Sequence, residues 1–191
     1  MVSTTRDSRD AYAALAELRK QQTKLNKKRR TKLQTFAKAK FKNSKKKNKC
    51  AILIQVIEES IKLANTVGIA QANPAQAVIG DLKAVVIGDG YLIGRSKGPY
   101  LAGHTAGAIG FKPEMRDNYN QIQHAMAGLC IAFEHVRPLQ WYVQWGEDED
   151  QDKKLYEASF AVGNWLFWNP KQLKKLPVKM RAAIGDSTCV P

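Results

Sequence analysis

Charge in this chain is segregated so sharply that the first quarter and the remainder cannot fold by the same rule. Residues 1–49 hold 17 Lys and Arg against three acids, Asp7, Asp10 and Glu17. Residues 50–191 hold 14 basic and 14 acidic residues, so the formal net charge of +14 lies entirely in the first segment. A run of like charges resists collapse on itself, and a polyanion relieves that repulsion while releasing its own counterions. The expected organisation is therefore a basic arm over 1–49, partly disordered alone, followed by a net-neutral helical domain over 50–191.

The neutral part is long enough to bury a core, and a hydrophobic content of 44% is that of an ordinary globular chain. Cys50, Cys130 and Cys189 are odd in number and far apart. They make neither a zinc spacing nor a disulfide framework, which sets a reducing compartment as the default and Cys50 and Cys130 as buried small residues. No apolar run approaches the ~18 residues of a membrane span. Lysines before Cys50, the run Ala51–Ile54 and the small residues Ala70–Ala77 imitate a secretory signal. Glu58, Glu59 and Lys62 interrupt its core, so the expectation is an intracellular, soluble protein.

The first Gly is Gly68 and the first Pro is Pro74, and residues 11–41 are rich in Ala, Leu, Lys, Arg and Gln. That composition favours helix, capped at Ser8 or Asp10. Tyr12, Leu15, Leu18, Leu25, Leu33 and Phe36 form only a thin apolar stripe, so ordering on a partner is expected. Lys42–Lys49 reads as a charged linker. Leu53, Ile57, Ile61, Ala64 and Gly68 then recur at helical spacing and predict a helix over roughly 50–70.

Eight of the 13 glycines fall between Gly80 and Gly110, which argues against a long helix there. Ala84–Ile87, Gly88-Asp89-Gly90 and Tyr91–Ile93 leave room for a small hairpin. Ile122, Met126, Leu129, Phe133 and Val136 predict a helix starting at Asp117 or Asn118 and ending at Pro138. Leu155, Ser159, Val162 and Leu166 predict another over about 152–168. Asn169-Pro170 then opens a further short helix, as a cap and a first-turn proline. The spacing of Trp141, Trp145, Trp165 and Trp168 suggests helical faces packed together. The fold class is mainly α: a compact helical domain with a Gly-rich middle tract, preceded by a flexible or helical cationic arm.

Two groups of residues carry chemistry. Lys27, Lys28, Arg29 and Arg30, with Lys45, Lys46 and Lys47 further on, are suited to neutralising phosphates without reading bases. The same clusters also fit an import or delivery signal, a solubilising tail or an electrostatic membrane tether. The second group is His124 with Asp117 and Asn120, where a helix would put a general base near groups able to fix its tautomer. The plainer use of His124 is as a surface or capping residue. His104 in Gly103–Gly107 only mimics a nucleophile elbow, and His135 suits a helix end. The three histidines give no metal pair, and the acidic stretch Glu147–Asp152 lacks calcium-loop spacing and reads as a solvated turn. No cofactor motif is present.

The leading expectation is a protein that binds DNA, RNA or another polyanion through residues 1–49. Its helical domain would serve self-association or a protein partner. The alternative is a small effector or toxin-like enzyme, with a basic delivery or packaging leader and a site centred on His124.

Overall fold

A computed structural model describes residues 4–42, 48–69, 73–88, 107–116, 121–134 and 150–190, with side chains from residue 11 onward. Among the described residues the chain is helical apart from turns and one isolated bridge between Phe111 and Gly185. The helices are α1 (Thr4–Phe41), α2 (Lys49–Val67), α3 (Pro74–Leu82), α4 (Gln121–Glu134), α5 (Asp150–Trp168) and α6 (Leu176–Ile184). The mainly helical expectation holds.

Helix α1 is unbroken because nothing in it breaks it: no Gly or Pro precedes Gly68. At 38 residues and about 1.5 Å per residue it is roughly 57 Å long. Its last third is built into the core. Arg29, Leu33, Ala37 and Phe41 are all buried, and their four-residue spacing puts them on one side of the helix against α2 and α3. The core therefore begins at Arg29, some 20 residues before the point at which the charge changes.

Helix α2 is capped by Asn48, whose side chain accepts from the Ala51 amide at 2.8 Å. The helix starts at Lys49, which is itself buried at 2% exposure. The charged linker thus ends before Lys49, whose aliphatic stem lies against Gly107 and whose ammonium stands 5.7 Å from the centre of the Phe41 ring. Burial lowers the Lys49 pKa. Beyond the predicted stripe, Ile52, Ile54, Val56 and Leu63 are also buried, so α2 is a central helix covered on most sides.

Helix α3 was not foreseen. Asn73 caps it by accepting from the amides of Ala75 and Gln76, and Pro74 occupies its first turn. The helix then widens into a π-helical turn over Lys83–Ile87. The first leg of the expected hairpin, Ala84–Ile87, is therefore helical, and its second leg lies outside the described residues.

Helices α4 and α5 run in the same direction in close contact. The separation is set by glycine: a Cβ on Gly128 would stand 2.6 Å from the Tyr156 carbonyl oxygen. A Cβ on Gly163 would collide with the Leu129 carbonyl. Ile122, Met126, Leu129 and Phe133 are buried on α4, as are Leu155, Ser159, Val162 and Leu166 on α5, matching the predicted faces. After Trp168 a 3₁₀ turn, Pro170–Lys175, leads into α6. Pro170 takes the first-turn place as expected, but the Asn169 side chain makes no cap bond to the turn that follows.

A disulfide joins Cys50 to Cys189, closing a sequence separation of 139 residues. This corrects the reading of the cysteines as unpaired and withdraws the argument for a reducing compartment. Only Cys130 remains a free thiol, buried between helices, and burial pushes its pKa far up. Around the disulfide three segments are pinned together. Lys49 and Cys50 amides donate to the Ile109 carbonyl, the Asp186 amide to Gly110, and the Asn48 side chain to the Thr188 carbonyl. Gly110 has φ of 90°, and a Cβ there would strike the Asn48 side chain, so this crossing needs glycine.

Candidate functional site

On α1 the structure separates cations that hold the fold from cations that face solvent. The Arg29 guanidinium is 1% exposed. Its Nε donates to Asp81 Oδ2 at 2.6 Å, Nη1 to the Gly68 carbonyl at 2.8 Å and Nη2 to Asn26 Oδ1 at 2.5 Å. Arg30 Nε reaches the other Asp81 oxygen at 3.1 Å from a half-exposed side chain. Asp81 is thus clamped by two guanidiniums, which ties α1 to α3. Arg29 is a structural residue, and the expectation that it contacts phosphate is corrected: all three of its nitrogens donate within the protein, and at 1% exposure it presents no surface to a partner.

Lys27 and Lys28 keep the exposure expected of them. The sequence clusters concealed a longer pattern. Lys20, Lys24, Lys28 and Lys32 follow one another at four-residue spacing, and all four are exposed. Four-residue neighbours share a helix face, so these lysines form a ridge about 18 Å long, turned away from the buried row that starts at Arg29. Between Glu17 and Glu58 the chain contains no acid at all, so no carboxylate within α1 interrupts the ridge. The lysines repel one another along it, at a cost of a few tenths of a kcal/mol per pair. Lys45, Lys46 and Lys47 lie outside the described residues.

The second candidate group is reshaped. His124 sits in the first turn of α4, with its side chain 20% exposed. Its Nε2 is 3.6 Å from Asp152 Oδ2, on a side chain 12% exposed. The close parallel contact of α4 and α5 creates this pair, because it sets the starts of the two helices side by side. At 3.6 Å the contact is an electrostatic pair and not a hydrogen bond. Two helix N-termini favour an anion here, which suits the Asp152 carboxylate. Asp150 and Asp152 belong to α5, and Asp152 is buried, so the end of the acidic stretch is not a solvated turn.

Asp117, Asn120, His104 and His135 lie outside the described residues. The residue brought to His124 is Asp152, 28 positions away, which no local spacing announces. Among the described residues no cluster of His, Cys, Asp and Glu is able to hold a metal ion. No described helix is long and apolar enough to cross a membrane. No family model, curated protein or solved structure matches this chain.

Proposed function

We propose that this chain is a polyanion-binding protein that grips nucleic acid along α1. The observation that carries the reading is the division of labour on that helix. Arg29, Leu33, Ala37 and Phe41 fix it to the body, while Lys20, Lys24, Lys28 and Lys32 stand exposed in a stretch that has no acid between Glu17 and Glu58. A duplex presents one phosphate per 3.4 Å of each strand, so a rigid 18 Å ridge faces several phosphates at once. Because the helix is docked from Arg29 onward, the Lys32 end of the ridge is already held in place, which limits the entropic cost of binding there.

The test is binding of the intact chain to short DNA and RNA duplexes, against a variant with all four ridge lysines replaced by Gln. Loss of most of the affinity for both, with unchanged helicity, is the expected result. Equal binding by the two proteins sinks the reading. Deleting residues 1–49 is not a clean comparison, because it also strips Leu33, Ala37 and Phe41 from the core.

A second reading, an acid–base site at His124, is favoured by one observation: the Asp152 carboxylate facing the imidazole between the two helix starts. It predicts a hydrolytic or transfer activity that His124→Ala abolishes while polyanion binding persists. The absence of any activity sensitive to that substitution removes this reading.

A further inference from the structure

The α1 side that carries Lys27 and Arg30 does not open onto bare solvent. It forms one wall of a groove of about 550 Å³, lined on α1 by Thr23, Asn26, Lys27, Arg30, Thr31 and Gln34. The opposite wall is Ala84 and Val85, from the π-helical turn. The six α1 positions fall at spacings of three and four, so they share one face, different from that of the lysine ridge. The lining contains two cations, four neutral hydrogen-bonding side chains, two apolar residues and no acid. Asp81 stands behind it, carrying one negative charge against the two positive charges of Arg29 and Arg30. The volume is that of a small-ligand site, and π-turns are concentrated at such sites.

We propose that this groove is a discrete seat for a phosphate group, held by Lys27 and Arg30 with Thr31 and Gln34 as neutral partners. The proposal rests on the polyanion reading and sharpens it: the ridge supplies diffuse attraction, and the groove holds one phosphate in a fixed place. Arg30 is suited to this because its contact with Asp81 and the Gly80 carbonyl pre-orients the guanidinium. Lys27 adds an exposed, adaptable charge across the mouth. The seat takes either a terminal phosphate monoester or a backbone phosphodiester.

The test is a backbone-amide NMR titration of the intact protein with inorganic phosphate. A parallel titration uses a short single-stranded DNA with and without a 5′-phosphate. Saturable shifts centred on Thr31, Gln34, Ala84 and Val85 are expected. Lys27→Ala should weaken them roughly tenfold, as loss of one charge-assisted contact does. Thr31→Glu, which adds a carboxylate at an exposed position, should abolish them, whereas Lys154→Ala, at an exposed position of α5 outside both ridge and groove, should leave them intact. Shifts from both DNAs assign the seat to the diester, and shifts only from the phosphorylated DNA assign it to the monoester. Shifts confined to the ridge lysines, or equal losses in Lys27→Ala and Lys154→Ala, overturn the proposal. If inorganic phosphate fills the groove while duplexes fail to bind, the seat stands and the nucleic-acid reading falls.

Discussion

Along α1, none of residues 11–28 is buried, whereas from Arg29 onward every fourth residue is: Arg29, Leu33, Ala37 and Phe41. Leu18 and Leu33 are the same residue type in the same helix, yet one is 53% exposed and the other 0%. Helix propensity is similar on both sides of Arg29, and charge density does not fall there either. What changes is the presence of a face that α2 and α3 can cover. Net charge therefore does not locate the edge of the folded core.

The two halves of α1 can be pulled apart experimentally. The largest effect should come from Cys189→Ser. Removing a cross-link across 139 residues costs up to about 5 kcal/mol through the unfolded chain. Chemical denaturation should show that loss, with the amides of residues 11–28 unshifted. Asp81→Asn comes next, since it leaves two guanidiniums without their carboxylate. A loss of about 3–5 kcal/mol is expected, together with faster amide exchange in residues 29–41. A mild loss would mean that the clamp is not what holds the helix.

Leu33→Ala and Leu18→Ala set the halves against each other directly. Emptying the Leu33 site should cost about 2–5 kcal/mol, and the change at Leu18 should stay within about 0.5 kcal/mol. Equal effects would erase the distinction. The smallest expected effect is acid sensitivity at the pinned C-terminal segment. Hydrogen bonds from the Thr188 hydroxyl and amide, with the Arg116 guanidinium beside them, hold the Asp186 carboxyl below its ordinary range. A depressed carboxylate contributes stability above its unfolded pKa of about 4 and loses it as pH falls through the folded value. The melting temperature should therefore fall below about pH 4, and less steeply in Asp186→Asn.

Much of the architecture was legible because it rests on local periodicity. The apolar spacing of Leu53–Ala64, Ile122–Phe133 and Leu155–Leu166 marks the buried faces of α2, α4 and α5. Helix α3 carries the same Asn-Pro signal as Asn169-Pro170, but it was masked by the small residues around it and by Gly80 at its end. The docked face of α1 was hidden because one of its buried positions is Arg29, which reads as a surface charge until Asp81 is placed beside it. Of the apolar stripe expected there, only Leu33 is buried, and Ala37 and Phe41 complete the row. Cys50 with Cys189, and His124 with Asp152, meet only through tertiary folding, so no spacing could have paired them. The ridge of Lys20, Lys24, Lys28 and Lys32 was present in the sequence, obscured by the denser run Lys27–Arg30.

The central claim, that a docked helix presents an unbroken cationic ridge to a polyanion, is tested most directly by one salt series. Binding of the intact chain to a duplex of mixed sequence would be followed as salt is raised. Four engaged lysines predict a slope of log affinity against log salt of about −3.6, with little dependence on sequence. A flat slope, or no binding at near-physiological salt, would contradict the account.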